Sequence, residues 1–589
     1  MFKFKLTYVA LAAALSSTVV YADPSTYTHL SGATVVDIEA PNAAGVSHNL
    51  YREFNVGSNG LILNNSDSDI NHATFGNIAK NNNLTNGGAS VILNEVTSNK
   101  ASSLNGFIEV AGLKADVVIA NPNGITCSGC SFVNTNKAIL TTGQVNLTDE
   151  GAIGSYTITN GKITIGENGM DASTSYAALL ADAVAINGMV NAGNATVGGG
   201  NFTFDNSTGA MTSAGKSATV LQMISPVYSI DISSLGGIKA NSISMVGNNL
   251  GFGVRNKGSI TANSTLSITN NGLLTNDGSI ASNGYLTSIA ASGNFTNNGT
   301  LTTKNMTMIT TYGALNNGSK GTISSTKQLV LNASGNIQNS GTISATSSLV
   351  AASNGAITNN AGAKITSDAQ ITATSLGNFT NDGTIKGKNT ALNFIGTNFK
   401  NTGTISATGK VAVKSLKQDS TTNTGEIYNL GTISGENIDM QTNGTLAQST
   451  SGRMEATNAI TAHSYWLNNN GYMKAADITT DHGTISNTGT ITAANVSLTT
   501  YYDVTNEGTI YSTGDLLLDT QLKGNIYNYS LIQANGTLTM TAKKVVNSGR
   551  GCGWLKFNTC DVGTISANKM VLNSSHKYAS EMGGYQYFK

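Results

Sequence analysis

Asn381-Asp-Gly-Thr-Ile385 is followed about twenty residues later by Asn401-Thr-Gly-Thr-Ile405, and this spacing decides the fold. The phrase recurs as Asn256-Lys-Gly-Ser-Ile260, Asn276-Asp-Gly-Ser-Ile280, Asn297-Asn-Gly-Thr-Leu301, Asn339-Ser-Gly-Thr-Ile343, Asn487-Thr-Gly-Thr-Ile491 and Asn506-Glu-Gly-Thr-Ile510. Weaker copies include Asn360-Ala-Gly-Ala-Lys-Ile365, Asn429-Leu-Gly-Thr-Ile433 and Asn470-Gly-Tyr-Met473. A fixed period of this size means stacked structural units. Asn and Gly both tolerate positive φ, so Asn-x-Gly predicts a tight corner. The following Thr-Ile-Ser-Ala alternates hydroxyl and apolar residues, the period of a half-buried strand. A second apolar pattern lies midway, as in Val411-Ala-Val413 and Leu516-Leu-Leu518. The expected coil is corner, strand, corner, strand, which makes the chain an all-β parallel β-helix. Gly383 and Gly403 are expected at stacked corners of consecutive coils.

Composition agrees with a solenoid. Each coil contacts only its neighbours, so length is not limited by the size of one core. The chain has 66 Gly but only 4 Pro, and none follows Pro226. Proline removes a ladder donor and is excluded from central strands. Apolar residues at 39% and their strand period separate the chain from a disordered Asn/Gly/Ser/Thr-rich polymer. Charge is sparse, 11%, and balanced at 32 against 32. No basic patch for nucleic acid and no basic amphipathic helix for a membrane surface is visible.

Export is written at the N-terminus. Lys3 and Lys5 precede the apolar stretch Leu6 to Val20, and Val20-Tyr-Ala22 has the small-x-small form of a cleavage site. Cleavage is expected between Ala22 and Asp23. No later apolar run has the roughly 18 residues of a transmembrane helix. The expected organisation is a signal peptide at 1–22, a secretion domain at 23–255, repeats at 256–545 and a C-terminal cap or anchor at 546–589.

Residues 23–255 lack the clean repeat and carry longer apolar strands, such as Val91-Ile-Leu93, Phe107-Ile-Glu-Val110 and Val117-Val-Ile-Ala120. The last leads into Asn121-Pro122-Asn123-Gly124-Ile125, then Cys127-Ser-Gly-Cys130. Here Asn121-Pro122 starts a turn, Asn123-Gly124 supplies positive φ and Ile125 re-enters the core. The run resembles the secretion domain of two-partner-secretion exoproteins, the filamentous haemagglutinin family. That domain carries Asn-Pro-Asn-Gly-Ile, followed in one subgroup by Cys-x-x-Cys. Its second motif, Asn-Pro-Asn-Leu, is matched by Asn81, Asn83 and Leu84, with Asn82 where the family has Pro. Further resemblance covers Asn55–Asn65, Ile92–Thr97, Leu104–Val110, Gly169–Ala172 and Gly251–Asn256.

The resemblance implies a right-handed β-helix with an N-terminal capping domain. It also implies export through the periplasm by an outer-membrane barrel with POTRA domains, and a cell-surface or extracellular location. An adhesin or haemagglutinin acting on a cell, matrix or bacterial-surface receptor is the expected function. The alternatives are a haem-carrier binder, a haemolysin, or a contact-dependent inhibition stick. A haem-carrier binder would use loops that lengthen the period, at 406–428, 441–468 and 545–562.

Other constellations carry less. Cys127 and Cys130 are expected as a structural disulfide or a buried thiol pair, because no further Cys or His lies close in sequence to complete a zinc site. Cys552 and Cys560 are expected to close a loop that caps or anchors the C-terminal end. His29, His48, His72, His463, His482 and His576 are scattered, and no catalytic order or paired carboxylates recur at coil spacing. No enzyme activity, cofactor or metal is expected.

Overall fold

The computed structural model describes residues 23–217, 227–417, 425–547, 563–575 and 586–588. Ala22 of the expected cleavage site, and Cys552 and Cys560, lie outside the described residues.

Each coil has three strands, not the two expected. One coil runs Ile337–Asn339, Thr342–Ala345 and Ser348–Ser353; the next runs Ile357–Asn359, Lys364–Ser367 and Gln370–Ser375. The strands stack in parallel and in register, Ile337 on Ile357, Ile343 on Ile365 and Leu349 on Ile371. Four-residue strands make a first sheet, six-residue strands a second and three-residue strands a third. Apolar side chains alternate inward along all three and form one continuous core, from Val36 to Ala567. The three-residue strand, such as Phe379–Asn381, is too short to show a period of two, which is why it was not legible. No helix is present among the described residues.

The repeat phrase sits at the corner between the third and first sheets, but its chemistry differs from the expectation. The asparagines are buried and form a ladder. Asn381 Nδ2 donates to Asn401 Oδ1 at 2.8 Å, and Asn359 Nδ2 donates to Asn381 Oδ1 at 2.8 Å. The same bond repeats from Asn256 through Asn276, Asn297, Asn317, Asn339 and onward. Gln448 continues the chain between Asn429 and Asn469 at 3.1 Å on each side. The ladder then runs through Asn487, Asn506 and Asn528 to Asn547. The second amide proton turns to backbone, as Asn381 Nδ2 does to Thr404 O at 3.3 Å. In two weaker copies the ladder residue is Asn359 or Asn469, not Asn360 or Asn470.

Nor does glycine in the phrase supply positive φ. Among described residues after Asn256, Gly362 is the only glycine with positive φ, in the copy with a longer corner. The glycines are required because the coils approach closely. A Cβ on Gly403 would lie 2.0 Å from Gly383 O, and one on Gly508 2.1 Å from Gly489 O. Thr404 N donates to Gly383 O at 2.9 Å, so Gly383 and Gly403 do stack at consecutive corners.

The same corner is apolar before residue 256. Its column reads Leu104, Cys127, Ile165, Ile186, Ile232 and then Asn256. The sheets themselves run through without interruption. What distinguishes the N-terminal coils is an outer layer. The hairpin Ile70–His72 and Gly76–Ile78 covers the first sheet over Val35, Ile62 and Ala111. A four-stranded antiparallel sheet, Gln144–Leu147, Ile153–Ile158, Phe202–Asp205 and Met211–Ser213, covers the second over Leu93, Val118 and Leu180. Strands buried on both faces read as continuous apolar runs, which explains Val117-Val-Ile-Ala120. The strand Thr26–Thr28 pairs antiparallel with Thr34–Asp37 at the N-terminal end. Residues 441–468, expected as a loop, are ordinary coil, including the strands Thr445–Gln448 and Arg453–Asn469.

His482 is buried in the wall, with Nδ1 2.7 Å from Ser464 Oγ. Burial pulls its imidazole from 6.5 down to about 3. The unfolded chain therefore takes up this proton before the folded chain does. Stability from a neutral His482 is complete above pH 6.5 and is lost as pH falls toward 3.

Two outcomes are expected. Asn381→Ala strands the Nδ2 of Asn359 and the Oδ1 of Asn401, each at a cost of roughly 1–3 kcal/mol. It should lower the denaturant midpoint clearly, whereas Thr402→Ala, on the exposed neighbour, should not. His482→Gln should flatten the decline in thermal midpoint between pH 6.5 and 4 relative to the parent, read by circular dichroism.

Candidate functional site: the secretion motifs

The two motifs form the same turn at different corners. Asn121 follows the second-sheet strand Ala115–Ala120, and Gly124 N donates to Asn121 O at 3.1 Å. Asn121 is fully buried. Its Oδ1 accepts from Asn123 N at 3.0 Å, and its Nδ2 donates to Lys100 O and Ser102 Oγ, each at 2.9 Å. Asn123 Nδ2 reaches Ser98 O at 2.7 Å. Thus one asparagine closes its own turn and a second ties that turn to the preceding coil. Gly124 has φ 111° as expected; Asn123 is not in the positive-φ region. Ile125 starts the third-sheet strand Ile125–Cys127 with its side chain buried. Pro122 fits because proline presets the φ of the second turn position.

Asn81 repeats the pattern between the first and second sheets. Leu84 N donates to Asn81 O at 3.2 Å, and Asn81 Oδ1 accepts from Asn83 N at 2.9 Å. Asn81 Nδ2 donates to Ile38 O at 2.8 Å and Asn64 O at 3.0 Å, and Asn83 Nδ2 also reaches Ile38 O at 3.1 Å. Leu84 is buried. Asn82 in place of proline leaves this turn intact, because the closing bonds belong to Asn81 and Asn83.

Neighbouring polar residues of the resemblance hold structure. Asn65 Nδ2 donates to Ala89 O and Leu113 O, both at 2.8 Å, and Tyr51 Oη donates to Asn94 Oδ1 at 3.1 Å. His48 lies 2.8 Å from Glu95, and His72 2.6 Å from Glu109. Cys127 and Cys130 are joined as a buried disulfide with Cα atoms 5.4 Å apart, across the Ser128-Gly129 turn. Among the described residues no group of three or more His, Cys, Asp or Glu could hold a metal ion. No described helix is long and apolar enough to cross a membrane. One surface group gave no linear signal: the exposed rings of Tyr465, Trp466, Tyr501 and Tyr502 come together at one corner.

Comparison with known proteins matches the N-terminal region that carries these turns to a family. The family model described as TPS secretion domain matches residues 13–276. The chain is 42% identical over 234 residues to a tRNA nuclease CdiA of Yersinia mollaretii, covering 39% of this chain and 8% of that one. It is 39% identical over 261 residues to a toxin CdiA of Yersinia pestis, covering 44% of this chain and 8% of the other. The chain thus spans about 8% of the length of these relatives. A crystal structure of a filamentous hemagglutinin secretion domain aligns at 30% identity and TM-score 0.41, covering 50% of this chain and 93% of that one. With a matched secretion domain at its N-terminal end and a parallel β-solenoid beyond it, the chain belongs to the two-partner-secretion exoproteins.

Proposed function

We propose that this chain is a surface-associated or released adhesin, delivered by a dedicated outer-membrane transporter that reads the Asn81 and Asn121 turns. The observation that supports it is the pairing of those turns with a solenoid whose outward residues are mainly hydroxyls and amides with scattered charge. Such a rod offers many weak contacts along its length, which add through multivalency. Transporter recognition would rest on the backbone shape that Asn121 and Asn123 fix. The predicted disulfide loop of Cys552 and Cys560 would serve as cap or anchor at the far end.

A second reading is a contact-dependent inhibition stick, favoured by the CdiA names of the relatives. Nuclease activity is a property of those much longer proteins, whose alignments cover 229–261 residues of this kind of N-terminal region. The present chain is proposed as non-enzymatic. Co-culture separates the readings: a stick lowers the viability of unprotected neighbours, and an adhesin changes attachment alone.

Replacing Asn121 and Asn123 together by Ala should leave the protein in the periplasm, with surface and medium amounts falling at least tenfold on immunoblots. The purified double variant should keep its β-sheet circular dichroism, since the solenoid beyond residue 256 does not use these side chains. Undiminished export would contradict the assignment of these turns to transporter recognition.

A further inference from the structure

The corner between the second and third sheets is glycine in coil after coil. Gly272, Gly293, Gly313, Gly335, Gly355, Gly377 and Gly396 stack there, each with a virtual Cβ within 3.0 Å of atoms in the coil before it. Further along, the same column reads Gly444, Tyr465, Gly483, Tyr502 and Gly524. Tyr465 N donates to Gly444 O at 2.9 Å and Tyr502 N to Gly483 O at 2.7 Å. Two tyrosines thus replace glycine, each between glycines that leave it room. A Cβ on Gly483 would lie 3.3 Å from the Tyr465 ring, so the ring leans over the missing side chain.

Trp466 and Tyr501 flank the two tyrosines. The ring centroids are 4.3 Å apart for Tyr465–Trp466, 5.0 Å for Tyr501–Tyr502 and 6.3 Å for Tyr465–Tyr502, all edge-to-face. The four residues keep 43%, 44%, 46% and 46% exposure in chain order. With close to half of each residue exposed, ring surface stays open to solvent, apart from the face of Tyr501 that Lys523 covers. None of this serves the core: the rings point outward from a corner that glycine fills elsewhere. Lys523 Nζ lies 3.9 Å from the centroid of Tyr501. Two residues before Tyr465, the exposed His463 sits 3.5 Å from Asp481. Gln521 and Leu522, beside Lys523, have φ 54° and 60°, an uncommon conformation for residues other than glycine.

We infer that this aromatic corner is a carbohydrate-binding subsite that takes a pyranose unit of an oligosaccharide. The axial C–H face of a pyranose packs on exposed aromatic rings, while its hydroxyls need mixed donors and acceptors at the rim. Tyrosine hydroxyls, the Lys523 ammonium and the His463–Asp481 pair supply both. A protein partner would favour a contiguous apolar patch with charges excluded from its centre. Here polar groups lie among the rings. Tyr465 and Tyr502 stand two coils apart on the same corner, which matches a ligand extended along the rod axis. The subsite deepens the adhesin proposal and rests on it for its biological use, though not for its chemistry.

The test uses the secreted full-length chain and immobilised oligosaccharides ending in galactose, glucose, N-acetylglucosamine or sialic acid. The parent should bind at least one class, and titration with that sugar should change tryptophan fluorescence. Trp466→Ala and Tyr502→Ala should each weaken binding at least tenfold with unchanged circular dichroism. Tyr312→Ala, at an equivalent corner without neighbouring rings, should bind as the parent does. If a variant fails to fold, saturation transfer from aromatic protons to the bound sugar in the parent reports the same contact. Binding to none of the sugars, equal binding by the aromatic variants, or absent transfer would overturn the subsite. Cell attachment by the parent together with binding to none of the sugars would leave the adhesin proposal standing while removing this one. Sugar binding without any cell attachment would do the reverse.

Discussion

Everything in this rod depends on how closely one coil can lie on the next at the ladder corner. The backbone there leaves no room for a Cβ: a methyl on Gly403 would meet the carbonyl of Gly383 at 2.0 Å. The same approach carries the asparagine beside it into the interior. A buried primary amide is costly unless its two protons and its oxygen are all used. Stacking identical amides solves this by translation. Each Asn gives one proton to the next amide and one to backbone, and receives one from the amide before. Asn and Gly are therefore required together, and the exposed residue between them is free to vary, as Lys257, Asp277, Asn298 and Thr402 show.

This arrangement makes stability local. In a solenoid each coil adds its own term and an interface with its neighbours, so defects do not propagate through one central core. It also frees the outer surface from structural duty. Outward residues of the first and second sheets are mostly Thr, Ser, Asn, Lys and Ala, with some aliphatic positions such as Leu286, Met306 and Met308. The N-terminal coils solve a different problem. There the ladder column is apolar, from Leu104 to Ile232, and two antiparallel layers cover the outer faces of the sheets. Those layers and the two asparagine turns give this end a shape that the uniform repeats lack, and the proposed transporter recognition would draw on it.

Much of the architecture was legible in sequence because its determinants repeat. The period, the parallel stacking and the stacked glycine corners all follow from Asn-x-Gly-Thr-Ile. The physical role of Asn and Gly was not legible, because turn formation and ladder formation use the same residues. Only the third dimension distinguishes a glycine with positive φ, such as Gly124, from one with a carbonyl against its Cα, such as Gly403. The third strand was missed because Phe379-Thr-Asn381 is shorter than any periodic signal. The motif turns were legible as turns, but not the bonds from Asn121 to Lys100 and Ser102, which join residues far apart in the chain. The aromatic corner was hidden for a related reason. Tyr465 and Tyr502 look like ordinary strand residues until the coils are aligned and glycine emerges at their position.

The most direct measurement of the central claim is exchange of the asparagine side-chain amide protons with solvent, followed by nuclear magnetic resonance on the purified chain. A continuous ladder predicts that the Nδ2 protons of Asn276, Asn339, Asn381, Asn401, Asn487 and Asn506 are protected, while those of exposed Asn354 exchange freely. Exchange of the ladder amides as fast as that of Asn354 would contradict the account.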